Sequence, residues 1–277
     1  MERFGGRAAV ITGAASGIGR ALCMTLAGRG VDIAAADINE AGLEETAESV
    51  RKLGRRVTTH VVDVADRAKM EAFSNEVAEQ HEQIHILINN AGVSVAADFE
   101  DHSLDDFEWL IGINLWGVIH GCKFFLPQLK RADEAYIVNL SSMFGLIGVP
   151  GQTSYCSSKF AVRGFTEALA AELADSSIRL MSVHPGGVST NIAASSRWSE
   201  ARPPAEREKV LEFFANKAMP ADKAAKLIVG AMEEDKRRLL IAPEAYLTDA
   251  FRRVFPSLPS SFMRKAQDLF MRFGGSK

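Results

Sequence analysis

The chain has 277 residues, of which 47% are hydrophobic and 24% are charged, and its formal net charge is −3. This composition is ordinary for a folded globular domain and excludes a disordered chain, which needs low hydrophobicity and high net charge. The charge balance provides no basic face, so we expect no nucleic-acid partner. No run approaches the roughly 18 apolar residues of a membrane span, so we also expect no transmembrane segment.

Short apolar runs alternate with longer helical patterns along the chain. The predicted strands are Ala8–Thr12, Asp32–Asp37, Val57–Val62, His85–Asn89, Ala135–Leu140, Ile178–Val183 and Leu239–Ile241. The predicted helices lie near 17–29, 40–53, 66–80, 103–131, 154–174 and 220–234. Nearly continuous apolar strands indicate a parallel sheet that is covered on both faces. We therefore predict one α/β domain over residues 1–277, with a three-layer, doubly wound parallel sheet (Rossmann fold) of about seven strands and helices on both faces.

The start of the chain and its cysteines bear on the compartment. The N-terminus turns directly into a strand-like run and has no apolar signal core, so we expect a cytoplasmic protein. The cysteines, Cys23, Cys122 and Cys156, are odd in number and widely spaced. This pattern argues against a disulfide framework and fits a reducing compartment.

A glycine-rich turn follows the first predicted strand. Its sequence is Thr12-Gly13-Ala14-Ala15-Ser16-Gly17-Ile18-Gly19, and it opens a predicted helix whose free N–H groups suit a pyrophosphate. Asp37 closes the second predicted strand, where a carboxylate accepts hydrogen bonds from the adenosine ribose. A carboxylate would repel a ribose 2′-phosphate, and its neighbours Ser16 and Ile38 are uncharged. The pattern therefore predicts a dinucleotide site that prefers NAD(H).

One motif points to a metal and is discounted. His81-Glu82-Gln83-Ile84-His85 matches the zinc-protease pattern, which works only where both imidazoles lie on one helix face. Here the second half enters a β-branched run that reads as a strand. We therefore expect no metal site.

Tyr155 and Lys159 are spaced four residues apart in a helix-prone run, so they share one helix face. A free tyrosine has a pKa near 10, and an ammonium within about 4–6 Å can lower a neighbour's pKa by roughly 1–3. We therefore expect Lys159, together with the positive nicotinamide ring of bound NAD, to bring the pKa of the phenol towards neutral pH, where general acid–base catalysis is efficient. Ser142 lies just past the strand Ala135–Leu140, at the edge where open sheets bind ligands.

These residues together resemble the short-chain dehydrogenase/reductase family over about residues 5–242. The matching motifs are, in chain order, Thr12-Gly13-x-x-x-Gly17-x-Gly19, Asp63-Val64, Asn89-Asn90-Ala91-Gly92, the tetrad Asn114, Ser142, Tyr155 and Lys159, and Pro185-Gly186 followed by Thr190. Gly187 is the one departure that we notice from the family's pattern. It does not touch a catalytic role.

The resemblance implies a function for each motif. Tyr155 would be the general acid/base, and Ser142 would hold the carbonyl oxygen. Lys159 would lower the pKa of Tyr155 and bind the nicotinamide ribose. Asn114 would hold a water. The implied NAD(H) contacts are Gly13, Ser16, Gly17, Ile18, Gly19, Asp37, Asp63, Val64, Asn90, Ala91, Gly92, Tyr155, Lys159, Pro185, Gly186, Val188 and Thr190. The implied reaction interconverts a secondary alcohol and a ketone by hydride transfer. The family's habit also implies a homodimer or homotetramer.

Two stretches depart from the alternating pattern. Residues 189–219 contain no predicted strand, and the resemblance implies a substrate lid at about 189–220. The candidate substrate contacts are Ser94, Met143, Gln152, Ile192 and Trp198, with Val95, Phe144 and Phe213 as further pocket candidates; their character indicates an apolar substrate.

The second stretch is a C-terminal extension at about 243–277. It carries an apolar stripe at Leu247, Phe251, Val254 and Phe255. This stripe fits three interpretations: packing on the body or on a neighbouring subunit, closing the substrate entrance, or lying on a membrane surface.

Two alternative functions stay open. An NADPH-dependent ketone or 3-oxoacyl reductase would share the fold, but Asp37 argues against it. A non-catalytic dinucleotide sensor would also share the fold, but it has no need for the complete tetrad.

Overall fold

A computed structural model describes residues 3–257, and its central sheet has seven parallel strands. They are β1 (Ala8–Thr12), β2 (Asp32–Asp37), β3 (Val57–Val61), β4 (Ile86–Asn89), β5 (Ala135–Leu140), β6 (Ile178–Pro185) and β7 (Arg238–Ile241). Their order across the sheet is β7-β6-β5-β4-β1-β2-β3. The chain starts in the middle at β1, runs out to β3, and returns to continue from β4. The predicted doubly wound parallel sheet is therefore confirmed, and its topological switch point lies between β1 and β4.

The helices cover both faces of this sheet. They are α1 (Gly17–Ala27), α2 (Glu40–Lys52), α3 (Arg67–Gln80), α4 (Leu104–Ile111), α5 (Gly117–Leu129), α6 (Thr153–Glu172), α7 (Pro204–Asn216), α8 (Ala221–Glu233) and α9 (Pro243–Val254). Successive residues of a strand point to opposite faces, and β1 shows the consequence. Ala9 and Ile11 join the core beneath α1 and α8, whereas Val10 joins the core beneath α3 and α5.

Short strands tie the stretch after β6 to the body. Arg197–Trp198 pairs in parallel with Val95–Ala96, and Met219–Pro220 pairs in parallel with Val188–Ser189. The prediction that residues 189–219 contain no strand is therefore wrong. These strands have only two residues each, which is too short to produce a readable alternation of apolar and polar side chains.

The predicted helix over 103–131 is interrupted by a π-helical turn at Gly112–Trp116, between α4 and α5. The prediction of one regular helix is wrong at this point, because periodicity does not register one wide turn. The whole stretch Leu104–Leu129 is long and apolar enough, by length and composition, to cross a membrane, although no such stretch was expected. Its second half buries Phe125 and Leu129 against the sheet.

In the described part of the C-terminal extension, only one side of α9 contacts the rest of the domain. Ala245 is fully buried, and Asp249 pairs with Arg238 of β7 at 2.5 Å. The predicted apolar stripe points largely to solvent, since Leu247 is 72% and Val254 is 68% exposed. Within residues 243–257, therefore, the stripe does not pack on the protein's own body. The rest of the extension, 258–277, lies outside the described residues.

Candidate active site

The turn between β1 and α1 forms a cradle of backbone. Gly13 and Gly17 have φ angles of 67° and 53°, which side-chain-bearing residues rarely adopt. A Cβ atom at Gly19 would collide with the carbonyl of Gly13. Ser16 precedes α1 without capping it through its side chain, and the first turn of α1 holds no acidic residue. The N–H groups at this helix end are therefore suited to a phosphate, and Ile18 anchors the helix to the core.

Asp37 lies at the end of β2 and fastens this cradle to the sheet. Its Oδ2 accepts a hydrogen bond from the Ala15 N–H at 3.0 Å, and its Oδ1 accepts one from the Asn39 N–H at 3.0 Å. The next residue, Ile38, is 70% exposed. Asp37 therefore presents a fixed negative charge beside the glycine turn, where an adenosine ribose would lie.

The loop after β3 borders the same edge of the sheet. Asp63 is exposed and accepts a hydrogen bond from the Ala65 N–H at 3.0 Å. Val64 is buried, and its carbonyl accepts a hydrogen bond from His120 Nδ1 at 3.0 Å. Both residues follow the carboxyl end of β3, the strand that pairs with β2. Their contact with the adenine stays a prediction.

The residues after β4 cross-link the switch point. The Asn90 amide donates to the carbonyl oxygens of Thr12 and Gly13, at 3.0 and 3.1 Å. The Thr12 hydroxyl accepts hydrogen bonds from the N–H groups of Asn90 and Ala91. A Cβ atom at Gly92 would lie 3.3 Å from Asn114 Oδ1 and 3.5 Å from Lys159 Nζ. Gly92 therefore connects the glycine cradle to the tetrad.

Asn114 occupies the π-helical turn and is completely buried. Its Oδ1 accepts a hydrogen bond from the Val93 N–H at 2.8 Å, and its Nδ2 donates to the Val93 carbonyl at 2.9 Å and to Ser158 Oγ at 3.2 Å. Single π turns inside helices frequently occur at functional sites. The amide holds the chain after β4 against α6, the helix that carries Tyr155 and Lys159.

Tyr155 and Lys159 lie one turn apart near the start of α6. Lys159 is buried, its Nζ donates to the Leu140 carbonyl at 2.9 Å, and it lies 5.6 Å from the centre of the Tyr155 ring. Ser142, just past β5, accepts a hydrogen bond from the Phe144 N–H at 3.1 Å. The Phe144 ring meets that of Tyr155 edge to face at 6.1 Å. The four tetrad positions thus converge at the carboxyl edge of the sheet.

Burial sets the protonation of this pair. It raises the pKa of Tyr155 to about 12, although hydrogen bonding with Ser142 acts in the opposite direction. Burial also lowers the pKa of Lys159 to about 8. In the protein alone, burial therefore holds the pKa of Tyr155 above its usual value. The expectation that Lys159 and the positive nicotinamide ring together bring this pKa towards neutral stays a prediction.

The turn after β6 faces the cradle from the other side. The Gly186 N–H donates to the Ile241 carbonyl at 2.9 Å, and Val188 is buried in its short strand. The Thr190 side chain lies against Gly17, where an added Cβ atom would be 3.0 Å from Thr190 Cγ2. Pro185, the last residue of β6, begins this turn.

The five candidate substrate residues separate into two groups. Ser94 Oγ donates to Gln152 Oε1 at 3.4 Å, and Trp198 belongs to the short strand paired with the segment after Ser94. Met143 follows Ser142, and Ile192 is joined to Thr190 by a 3.4 Å hydrogen bond from its N–H. The indole N–H of Trp198 is buried without a hydrogen-bond partner.

Two side chains that border the site were not among the predicted residues. Glu244 accepts a hydrogen bond from the Gly187 N–H at 2.8 Å, and His184 Nδ1 bonds the Ser142 carbonyl at 3.1 Å. Burial lowers the pKa of His184 to about 4, so it stays neutral. The apolar run around His184 could have indicated a buried imidazole. No local pattern marks Glu244, because only strand pairing brings it there.

The histidines of the discounted zinc motif are engaged elsewhere. His81 Nε2 bonds the Thr58 hydroxyl at 3.0 Å, and His85 Nδ1 accepts the Ala8 N–H at 3.4 Å. Over residues 3–257, no group of three or more His, Cys, Asp or Glu side chains could hold a metal ion.

Known proteins share this architecture and its sequence. The family model described as short chain dehydrogenase matches residues 7–201. SadH of Mycobacterium tuberculosis is 36% identical over 261 residues, which cover 93% of this chain and 94% of SadH. The 3-oxoacyl-[acyl-carrier-protein] reductase FabG of Thermotoga maritima is 35% identical over 188 residues, which cover 68% of this chain and 76% of FabG.

A solved structure agrees closely with the fold. The short-chain dehydrogenase/reductase from Burkholderia phymatum in complex with NAD superimposes with a TM-score of 0.86 at 31% identity, over 92% of this chain and 96% of that chain. A seven-stranded doubly wound sheet, the glycine cradle and the ordered tetrad agree with this likeness. The chain therefore belongs to the short-chain dehydrogenase/reductase family, and it is an oxidoreductase that uses a nicotinamide dinucleotide cofactor.

Proposed function

We propose that the protein interconverts a secondary alcohol and a ketone with NAD(H) as its cofactor. One observation carries this proposal: the Tyr155 phenol lies beside Ser142 and Lys159 at the same sheet edge as a backbone cradle suited to a pyrophosphate. The tetrad comes from the π-helical turn, the segment after β5 and helix α6, whereas the cradle follows β1. The fold brings them together at the carboxyl edge of the sheet.

The tetrad residues divide the acid–base work. Tyr155 gives its proton to the carbonyl oxygen in reduction and takes the hydroxyl proton in oxidation. Ser142 holds the same oxygen and stabilises its developing negative charge. Lys159 would bind the nicotinamide ribose. Asn114, which is fixed by its hydrogen bonds to Val93 and Ser158, would hold a water that passes protons from Lys159 to solvent. The dinucleotide, when bound, supplies the hydride acceptor or donor.

The cradle residues hold the dinucleotide through backbone and charge. Gly13, Gly17 and Gly19 let the turn close tightly, because a Cβ atom at Gly19 would collide with the Gly13 carbonyl, and the tight turn brings its main chain close to the pyrophosphate. Asp37 binds the ribose hydroxyls and disfavours a 2′-phosphate by like-charge repulsion. NAD(H) rather than NADP(H) is the cofactor proposed on this ground.

The substrate is proposed to be apolar and to lie under a lid at about 189–220, within a single domain of residues 1–277. The lid is tied to α4 by Arg197, whose guanidinium stacks 3.5 Å from the centre of the Trp109 ring and pairs with Asp106 at 2.5 Å. The proposed substrate contacts are Ser94, Gln152 and Trp198, which are linked by the Ser94–Gln152 hydrogen bond and the short strand pair, together with Met143 and Ile192.

The assembly is proposed to be a homodimer or homotetramer. Large apolar side chains point to solvent on the described surface, with Leu247 and Val254 on α9 as examples. Exposed apolar side chains of this kind support a contact with another chain. The cytoplasmic location stays a prediction from the sequence.

A 3-oxoacyl reductase that uses NADPH is the second candidate. The 35% identity to the reductase FabG favours it, whereas Asp37 opposes the 2′-phosphate of NADPH. A non-catalytic sensor would bind the dinucleotide without any turnover.

The deciding experiment follows absorbance at 340 nm with NAD and then NADP, against secondary alcohols that range from small aliphatic to steroid. Tyr155→Phe is the matched variant, because it removes only the reacting hydroxyl. We expect NADH formation that this variant lacks, while it still binds NADH. Turnover by Tyr155→Phe would refute the role of Tyr155, and NADPH oxidation with a 3-oxoacyl thioester alone would favour the second candidate.

A further inference from the structure

Glu244, in the first turn of α9, holds the turn that follows β6. Its Oε1 accepts a hydrogen bond from the Gly187 N–H at 2.8 Å. The carboxylate also lies so close to Gly186 that a Cβ atom at Gly186 would collide with it. Gly186 therefore leaves the space that Glu244 occupies.

The sheet pairing explains how a distant residue reaches this turn. β7 runs parallel to β6 and places Ile241 beside Pro185. The Gly186 N–H donates to the Ile241 carbonyl at 2.9 Å. The chain then reverses at once and begins α9 at Pro243, so Glu244 enters the space directly over the glycine pair.

The reversal is made by a backbone conformation that L-residues rarely adopt. Ala242 has φ 75° and ψ 148°, and it is only 8% exposed. Residues kept in such regions cost free energy, persist only where the surroundings over-determine them, and cluster at functional sites. This observation is independent of the hydrogen bond, and it indicates that the direction in which α9 leaves the sheet is constrained.

Helix α7, which lies within the proposed lid, contacts the same turn from another direction. A Cβ atom at Gly187 would lie 2.8 Å from the Phe213 ring of α7. The turn is thus enclosed between α7 and α9. The Gly187 N–H donates to Glu244, and three residues later Thr190 lies against Gly17 of the cradle.

We infer that Glu244 is a positioning residue for the nicotinamide end of the cofactor site. By holding the Gly187 N–H, it sets the course of the turn from Pro185 to Thr190 and couples α9 to dinucleotide binding. This inference rests on the proposed function, because the proposed function assigns the turn to dinucleotide binding. It gives the C-terminal extension a role in the site itself.

The test compares four variants of the full chain. Glu244→Ala removes the acceptor, Glu244→Gln keeps an oxygen at the same reach without the charge, and Glu244→Asp keeps the charge but withdraws it. Asp249→Asn is the matched control, because it loosens α9 from Arg238 without touching the turn. The readouts are the Kd for NADH by fluorescence, amide hydrogen exchange at Gly187 without cofactor, and the melting temperature.

We expect Glu244→Ala and Glu244→Asp to raise the Kd about tenfold, which corresponds to the loss of one hydrogen bond, and to speed exchange at Gly187. Glu244→Gln should stay near wild type, and Asp249→Asn should lower the melting temperature alone. Equal effects of Glu244→Ala and Asp249→Asn on Kd would overturn the inference, as would no change at Gly187. Failure of the wild type to bind NADH would overturn the proposed function, while exchange at Gly187 would still decide whether Glu244 holds the turn.

Discussion

At the scale of single residues, burial decides which protons the tetrad holds. With its pKa raised to about 12, Tyr155 keeps its proton at neutral pH and is ready to donate it. Lys159, with its pKa lowered to about 8, stays mostly charged at pH 7. The phenol becomes a base only when more positive charge is brought to it, and the oxidised nicotinamide would bring such a charge. The protein alone is thus arranged as a proton donor.

Asp37 offers a test of cofactor choice at the same scale. Replacing its charge, by Asp37→Ala or Asp37→Asn, should move the preference towards NADPH by about tenfold to a hundredfold, because like-charge repulsion is worth a few kcal/mol. The measurement is kcat/KM for NADH and NADPH with one substrate.

Asp37→Asn serves as the control for the hydrogen bonds to Ala15 and Asn39, since it retains one acceptor. A loss of affinity for both cofactors in equal measure would indicate damage to the cradle. An unchanged preference in both variants would refute the NAD(H) assignment.

At the scale of elements, the π turn at Gly112–Trp116 and the strand ends position different parts of the site. The strands supply edges where Asp37, Ser142 and Pro185 project together. The π turn supplies the one buried amide that pairs with both backbone groups of Val93. A regular helix would offer Asn114 at a different angle, since its turns are narrower.

Asn114→Ala tests this arrangement. Because it leaves the Val93 N–H and carbonyl without their partner in a buried site, we expect a loss of about 2–4 kcal/mol in the free energy of unfolding. Urea denaturation measures the effect. Ser158→Ala removes only one contact of the same amide and should cost less than about 1.5 kcal/mol. Equal losses in the two variants would contradict the role given to the Val93 pairing.

At the scale of the whole molecule, buried neutral histidines make stability depend on pH. Burial lowers the pKa of His60, His81, His85 and His184, the last to about 4. Below pH 6.5 the unfolded chain takes up protons that the folded chain does not, so the stability present above pH 6.5 is lost as the pH falls towards 4. His184 contributes about 3 kcal/mol of this loss at pH 4 and below.

Urea midpoints measured from pH 7.5 to pH 4.5 check this expectation. The midpoint should fall steadily through this window. Glu134, whose pKa the arginine contacts lower to about 2, adds to the fall only at the acid end, where the unfolded carboxylate begins to take up a proton. His184→Gln should flatten the curve, because the amide cannot take up a proton. A curve that is flat between pH 6.5 and 4.5 in the wild type would contradict the prediction.

The exposed stripe of α9 leads to a prediction about assembly. Light scattering should give the wild type the mass of a dimer or tetramer, and Leu247→Glu should lower that mass because it places a charge in the proposed contact. Leu53→Glu, at an exposed leucine past the end of α2, is the control and should leave the mass unchanged. An unaltered mass for Leu247→Glu would exclude α9 as the contact.

Sequence patterns anticipated the sheet because each signal is local. The apolar runs of β1, β2, β4 and β5 read as buried strands from their own residues, and the glycine turn has its meaning between a strand and a helix. The π turn was missed because its widening spans a single turn within an otherwise helical pattern. The two-residue strands around Arg197 and Val188 were missed because pairing, rather than composition, defines them.

The cradle and the tetrad could therefore be predicted from the sequence, because backbone freedom at Gly13 and the spacing of Tyr155 and Lys159 are local properties. The protonation of that pair, the neutral state of His184 and the arrival of Glu244 at Gly187 depended on the folded arrangement. Solvent exclusion and contacts between residues far apart in sequence exist only after the strands have paired. For this reason the chemistry could be anticipated, whereas its tuning came from the tertiary structure.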